Sequence, residues 1–231
     1  GRNGKVGCSA CIDVCSTGAI GSMFKNGQGS VEVNPNLCMG CGACATSCPS
    51  GAMSYNYPSV AHQGRELKTI ANVFTAEAKK IYQAMAPSLL LHTLKAGTQM
   101  IDGLGRSAHI MPKQFEGLPA FVIPYGIEHI ASTGLDLWLG AISYGVAEVI
   151  LLLSGDEDPA YRAALEEQAD LANSIMKAYG FDERIQLILA TSIDDLSTVS
   201  QAMAVLRQRG SLNPICTPAT IGLSNQKRET L

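Results

Sequence analysis

Basic residues are scarce in this sequence, which has 17 lysines and arginines, 20 aspartates and glutamates, and a net charge of −3. Nucleic-acid-binding domains carry a basic patch, so the composition argues against a nucleic-acid partner. The sequence also lacks an uncharged apolar run of the ~18 residues that a membrane helix needs. Its most apolar stretch, residues 137–153, contains Glu148 and two glycines. We therefore expect no membrane span.

Glycine-rich phosphate-binding motifs are missing as well. Neither G-x-G-x-x-G nor a P-loop follows any strand-like run, and "GLGRSA" (103–108) falls at the end of a predicted helix. A backbone needs such glycines to approach a pyrophosphate, so we expect no bound dinucleotide. No Ser-His-Asp set or active-site cysteine is discernible. Glu128 and His129 have acid–base side chains, but such a pair more often caps a helix or fills an interface.

Cysteine is unevenly distributed. Seven of the eight cysteines lie within residues 8–48, at spacings of three and four in each run, whereas Cys216 stands alone. Such clustering favours metal ligation in a cytoplasmic protein over the disulfides of a secreted one. We expect Cys216 to be a small buried hydrophobic residue.

A repeat of 33 residues underlies the cysteine pattern. "KVGCSACIDVC" (5–15) aligns with "CMGCGACATSC" (38–48), and "CSTGAI" (15–20) aligns with "CPSGAM" (48–53). The alignment pairs Cys8 with Cys41, Cys11 with Cys44, Cys15 with Cys48, and Lys5 with Cys38. The sequence therefore contains a duplicated metal half-site, and one copy lacks a cysteine.

Soft thiolate ligands on a tight loop suit iron–sulfur clusters. Gly40, Gly42 and Ala43 keep the second loop small, so its backbone N–H groups can point at the sulfurs. Pro49 ends that loop. Zinc sites usually separate two cysteine pairs by a dozen or more residues, unlike four cysteines within eleven.

The run Cys38-x2-Cys41-x2-Cys44-x3-Cys48-Pro49 resembles that of two-cluster bacterial ferredoxins, and the resemblance covers residues ~4–57. It implies an α+β ferredoxin-like domain in which the fourth cysteine of each run crosses to the other cluster. One [4Fe-4S] cluster, cluster B, would be held by Cys15, Cys38, Cys41 and Cys44. Cluster A would be held by Cys8, Cys11 and Cys48, with its fourth corner at Lys5.

Cluster A departs from the family pattern because lysine is a poor iron ligand. Four readings stay open: a cysteine upstream of the sequence given, a [3Fe-4S] cluster, a [4Fe-4S] cluster with one open or non-cysteine iron, or an empty site. A protonated Lys5 near the cluster would raise its reduction potential. Ser16 replaces the expected proline, so the first copy is the looser one. Both chain ends suggest a piece of a longer protein.

The rest of the sequence predicts an α/β domain. Val31 and Val33 around Glu32, with Asn26-Gly27 as a turn, predict a hairpin between the cysteine runs. A linker (55–65) is followed by a helix over about 65–85. Strand-like runs then occur at 88–92, 120–124, 148–153 and 185–190, and helical stretches at 97–107, 127–145, 159–179 and 194–209. Asp158, Pro159 and Gly180 bound the third of these helices, and Gly210 ends the last.

Alternation of strands and helices predicts a mostly parallel, roughly four-stranded sheet covered by helices. We divide the chain into a two-cluster ferredoxin domain (1–60), a linker and bridging helix (61–86), and a Rossmann-like α/β domain (87–231). Ligands of such sheets bind beyond the strand carboxyl ends, which here carry His92, 124–129 and 154–159.

Residues ~135–190 weakly resemble the delta-subunit domain of methyl-viologen-reducing hydrogenases, which links hydrogenase to heterodisulfide reductase. The whole layout is similar to larger 4Fe-4S-binding proteins often encoded with formate dehydrogenases. These resemblances imply redox protein partners, such as a formate dehydrogenase or a heterodisulfide-reductase-like system.

The sequence thus favours an iron–sulfur electron-transfer module of a cytoplasmic redox complex over a complete enzyme. Two alternatives are kept: an oxidoreductase whose α/β domain binds a ligand fed by the clusters, and an iron–sulfur assembly or scaffold protein.

Overall fold

The computed structural model describes residues 8–81 and 86–205. Lys5, Cys216 and the predicted helix end at Gly210 lie outside the described residues, so the predictions made for them stay predictions. The described part of the chain contains a cysteine-bearing region, a long helix and an α/β region.

The cysteine-bearing region contains two short helices and a hairpin. They are α1 (Ala10–Asp13), β1 (Ile20–Lys25), β2 (Gln28–Val33) and α2 (Ala43–Thr46). The predicted hairpin is confirmed: the two strands pair antiparallel, with Ile20 opposite Val33. Asn26 and Gly27 turn the chain with φ of 53° and 77°, as a two-residue turn with the twist of a hairpin requires.

Helix α3 (Val60–Ile81) follows the hairpin region and packs on the α/β region. It begins five residues before the expected start, because the Ser59 hydroxyl accepts a hydrogen bond from the His62 N–H at 3.3 Å and caps the helix. The predicted linker is shortened accordingly. Leu67 and Ala71 of this helix belong to the core of the α/β region and are each 1% exposed.

The α/β region is built on four parallel strands, as predicted. They are β3 (Ser88–Thr93), β4 (Val122–Ile127), β5 (Glu148–Leu153) and β6 (Ile185–Leu189), in the order β4-β3-β5-β6. Strand β4 lies on one side of β3, whereas β5 and β6 lie on its other side. The direction of strand addition therefore reverses between β3 and β5, and their carboxyl ends flank this topological switch point.

Helices cover both faces of this sheet. They are α4 (Ala96–Ile110), a 3-10 turn (Ile130–Ser132), α5 (Leu135–Ser143), α6 (Pro159–Ala178) and α7 (Ile193–Val205). Alternate residues of the central strands point to opposite faces: Leu151 packs with α3, α5 and α6, whereas Ile150 packs with α4 and α7. Both strand residues are 0% exposed.

The signals that bound α6 are confirmed. The Asp158 side chain accepts a hydrogen bond from the Ala160 N–H at 2.8 Å, and Pro159 opens the helix. At the other end Gly180 has a φ of 82°, and the Phe181 N–H bonds the Met176 carbonyl at 3.0 Å. This is the left-handed glycine termination expected from the sequence.

Two further predicted elements were wrong in their boundaries. The second strand is Val122–Ile127 rather than 120–124; Pro124 lies inside it because β4 is an edge strand, where a missing N–H is tolerated. The helix expected over 127–145 is instead the end of β4, the 3-10 turn and then α5, which starts after Gly134. The apolar residues on both sides of Gly134 made the two elements look like one helix in the sequence.

Among the helices formed by the described residues, none has the length and apolar character needed to cross a membrane.

Candidate metal centre

The seven cysteines of residues 8–48 are free thiols that differ in exposure. Cys8 and Cys38 are exposed, Cys11 and Cys48 are buried, and the other three, Cys15, Cys41 and Cys44, are partly buried. The two members of each aligned pair thus differ in exposure, although the loops share one sequence pattern.

The electrostatic neighbours of these thiols form two sets. Burial raises the pKa of Cys11, and the negative charges of Cys48 and Cys8 raise it further. Burial likewise raises the pKa of Cys44, with Cys41 and Cys38 adding to it. Cys48 belongs to the second run by sequence, yet it acts on the first. The fold therefore brings Cys48 near enough to Cys11 for its charge to raise the pKa of that thiol.

The loops after Cys15 and Cys48 surround each sulfur with donors. Burial alone would raise the pKa of Cys48, but hydrogen bonds from the Ser50 hydroxyl and from the backbone N–H groups of Met53, Ser50 and Ala52 lower it to about 7. The Ser50 Oγ lies 3.5 Å from the Cys48 Sγ. A thiolate is the form that ligates metal, so the loop favours ligation.

The Cys15 loop repeats this arrangement. The Thr17 hydroxyl lies 3.6 Å from the Cys15 Sγ, and the Ala19 N–H donates to the sulfur at 3.3 Å. These bonds, with others from the Thr17 and Ile20 N–H groups, outweigh burial and lower the pKa of Cys15. The repeat seen in sequence, "CSTGAI" and "CPSGAM", is therefore a repeated thiolate pocket.

The donor set fits an iron–sulfur cluster better than a single ion. Across residues 8–81 and 86–205, no three cysteine, histidine or carboxylate side chains converge closely enough to hold one metal ion. The thiolates of a cubane each bind a different iron, so they surround a volume rather than a point. Six of the seven thiols fall into two sets of three, and N–H groups are directed at the sulfurs of Cys15 and Cys48, which matches that requirement.

The cysteine-bearing region packs directly against the α/β region. The Thr46 hydroxyl donates to the Ala131 carbonyl at 2.9 Å, and Val14, Ala43 and Ala131 form a small buried cluster. Gly42, with φ of 80°, lies so close to the 3-10 turn that a Cβ there would be 2.9 Å from the Ser132 Cα. Sequence analysis did not predict this contact, because its partners lie about ninety residues apart.

Tyr161, in the first turn of α6, is a site residue that sequence analysis missed. Its hydroxyl hydrogen-bonds the Ser16 hydroxyl, and its side chain packs, as Cys41 does, against the buried cluster of Val14, Ala43 and Ala131. Burial, followed by the bond to Cys41, raises the pKa of Tyr161 to about 12. Only the helix start at Asp158 hinted that this position lies near a loop, and nothing in the sequence paired it with cysteine.

The residues predicted at the strand carboxyl ends do not form one cluster of acid–base groups. His92 is buried within β3, and burial lowers its pKa. Glu128 is exposed and His129 partly buried just before the 3-10 turn. "GLGRSA" (103–108) lies inside α4 rather than at its end.

The backbone donors beyond β5 and β6 are engaged within the chain. Glu157 accepts hydrogen bonds from the Ser154 and Gly155 N–H groups at 2.9 and 2.8 Å. Asp195 accepts from the Thr191 and Ser192 N–H groups at 3.0 and 3.1 Å. Both carboxylates occupy the kind of N–H pocket in which a phosphate would bind. The expectation of no dinucleotide stays a prediction.

Comparison with known proteins bears on the cysteine-bearing region. Residues 6–52 match the family described as "4Fe-4S dicluster domain". No curated protein matches the chain significantly. The associations with formate dehydrogenases and with hydrogenase delta subunits gain no support and stay predictions. The match and the grouped thiols agree, so the chain contains a ferredoxin-type iron–sulfur domain that binds [4Fe-4S] and has an electron-transfer role.

Proposed function

We propose that the cysteine-bearing region holds two clusters and that the chain passes single electrons through them between redox proteins. An iron–sulfur cluster accepts and releases one electron at a time. The observation that carries the proposal is the division of the thiols into two sets, with Cys48 acting on Cys11 across the repeat. One set would hold cluster A and the other cluster B.

The crossed ligation is part of this proposal. Cys48 acts electrostatically on the Cys8–Cys11 set. Cys15 is its counterpart in the repeat and lies in an equivalent pocket of hydroxyl and N–H donors. By the same symmetry Cys15 would complete the set of Cys38, Cys41 and Cys44. Cluster A would have three described thiolate ligands, with Lys5 beyond the described residues.

Surface access supports electron exchange with partner proteins. Cys8 and Cys38 are the exposed members of the two sets, so each cluster would have one corner near solvent. Leu37 and Met39 flank Cys38 and are 51% and 61% exposed. Apolar side chains around an exposed ligand suit a transient redox partner, which needs close approach but little buried area.

Anaerobic purification, followed by iron and sulfide counting and electron paramagnetic resonance (EPR), tests this function. We expect reversible one-electron signals from two clusters. One reversible cluster alone would contradict the two-cluster assignment, and the absence of any reversible signal would contradict electron transfer.

Alanine variants test the crossing. If ligation is crossed, Cys15→Ala leaves the same residual spectrum as Cys44→Ala, and Cys48→Ala the same as Cys11→Ala. Uncrossed ligation would instead pair Cys15→Ala with Cys11→Ala. Ser30→Ala on the exposed hairpin serves as the control and should retain both signals.

A further inference from the structure

The two copies of the cysteine loop differ at one position where the first copy contacts the α/β region. The first copy has Ser16 where the second has Pro49. Ser16 hydrogen-bonds Tyr161, a residue 145 positions later in the chain. The Tyr161 ring packs against the buried cluster of Val14, Ala43 and Ala131. Cys41 of the second copy packs against the same cluster, and burial, followed by its hydrogen-bonding interaction with the phenol, raises the pKa of Tyr161.

The direction of these hydrogen bonds follows from chemistry. A thiolate bound to iron has no proton to donate, whereas a phenol with a reference pKa of ~10 keeps its proton at neutral pH. The Tyr161 O–H therefore donates to the Cys41 Sγ. That leaves the phenol oxygen as an acceptor, and the Ser16 hydroxyl donates to it. The result is a chain from Ser16 through Tyr161 to Cys41.

We propose that Tyr161 is a positioning residue of the α/β region that raises the reduction potential of the cluster held by Cys41, and that Ser16 strengthens its effect. This inference rests on the proposed electron-transfer function and adds to it a means by which the second region tunes the first.

The physical reason lies in the charge of the reduced cluster. Reduction adds one negative charge, part of which resides on the sulfur ligands. A hydrogen bond to a ligand sulfur therefore stabilises the reduced form more than the oxidised form, and the potential rises. The second hydrogen bond polarises the phenol and makes it a better donor.

The same chain of bonds accounts for the residue at position 16. Proline has no hydroxyl and could not donate to the phenol. The proline that ends the second loop at position 49 faces no such requirement. The serine that replaced the expected proline in the first copy therefore gives Tyr161 its second hydrogen bond.

An EPR-monitored redox titration of the full chain tests the inference. Tyr161→Phe keeps the ring and removes the hydroxyl. We expect it to retain iron and to lower the potential of one signal only, the signal that Cys44→Ala abolishes. The expected shift is up to about tenfold in the equilibrium constant for reduction, or about 59 mV for a one-electron couple.

Two further variants separate tuning from packing. Ser16→Ala should shift the same signal in the same direction by less, and it should add nothing to Tyr161→Phe, because Ser16 acts through Tyr161. Tyr179→Phe is the matched control: it changes an exposed tyrosine at the far end of the same helix, about 27 Å away at 1.5 Å per residue, and should shift neither signal.

The results that overturn the inference differ from those that overturn electron transfer. Two reversible signals with unchanged potentials in Tyr161→Phe would refute the tuning and leave electron transfer standing. If Tyr161→Phe loses iron, the test passes to the Ser16→Ala variant. An unshifted potential in Ser16→Ala would then refute the inference. No reversible signal in the native chain would refute both.

Discussion

The cysteine-bearing region and the α/β region bury apolar surface to very different extents. Every residue of β2 is exposed, and Phe24 of the paired strand is 60% exposed. In contrast, every residue of β5 is buried. The first region has a few small buried residues around its thiols, whereas the second has a sheet with apolar side chains on both faces.

This contrast shows two ways of holding a fold together. A region of ~50 residues buries too little apolar surface to be stable easily by itself. In the proposed ligation, cysteines of both runs bind the same cluster, and those bonds would replace the missing apolar contacts. The α/β region needs no such bonds, because alternate strand residues fill cores on both faces of the sheet.

Cluster removal should break this comparison most strongly. Anaerobic chelation of the iron is expected to unfold the cysteine-bearing region completely while the sheet stays folded. Amide hydrogen exchange on the full chain measures this: protection should disappear in α1 and α2 and persist in β3 and β5. Chelator already saturated with iron is the control. Retained protection in α1 after iron loss would show that the region has an adequate core without the cluster.

A substitution in the core of the sheet should destabilise the α/β region and leave the cysteine-bearing region unchanged. Leu151→Ala removes a side chain that is 0% exposed in β5, and such truncations cost roughly 2–5 kcal/mol. Denaturant unfolding followed by circular dichroism should show this loss in the α/β region, with iron per chain unchanged. Leu189→Ala makes the same change where leucine is 44% exposed and should cost much less. Equal losses in the two variants would contradict the assigned core.

The sequence predicted the parts of the fold that depend on local patterns. Strand β5 matches the predicted run 148–153 because five consecutive apolar residues follow Glu148 and a glycine-containing loop bounds the run. The repeat predicted that the loops after Cys15 and Cys48 would correspond, and the structure adds that Thr17 and Ser50 place a hydroxyl near the sulfur in each copy. The family match over residues 6–52 agrees with the cysteine spacing.

The parts that failed depend on contacts between distant segments. The stretch "GIEHIAST" forms the end of β4 and a 3-10 turn. Ser132 of that turn lies against Gly42, a contact between distant segments that helical periodicity does not record. Tyr161 likewise has an ordinary place in an amphipathic helix. Its role at the site depends on the docking of α6 beside Ser16 and Cys41.

A change at the contact between the two regions should have an intermediate effect. Gly42→Ala places a Cβ against Ser132 and forces alanine into a left-handed conformation, φ 80°; the conformation alone costs about 1–2 kcal/mol. We expect the cysteine-bearing region to unfold, and to lose cluster absorbance, at lower denaturant concentration.

Gly21→Ala is the matched control, because a Cβ there meets nothing within 4 Å. A Gly42→Ala variant with the same midpoint as Gly21→Ala would mean that the two regions do not press together at this loop.

Acidification should produce the smallest effect and should act on the α/β region. His92 is 6% exposed in β3, and burial lowers its pKa despite opposing contributions from its bond to the Thr93 carbonyl and from Asp102. The unfolded chain, with a histidine pKa of ~6.5, then binds the proton more readily than the folded one. The stability that His92 contributes is therefore fully present above that pH and is lost as the pH falls below it.

The loss has a ceiling of about 1.4 kcal/mol per pH unit, the value for one proton. Denaturant midpoints of the α/β region measured from about pH 8 to about pH 5.5 should fall less steeply in His92→Gln than in the native chain. His109→Gln, an exposed change at the end of α4, should leave the native slope. The cysteine-bearing residues 8–57 contain no histidine. The denaturant midpoint of that region should therefore depend on pH in the same way in the native chain and in both variants. A His92→Gln profile as steep as the native one would show that the imidazole is not held neutral by its place in the sheet.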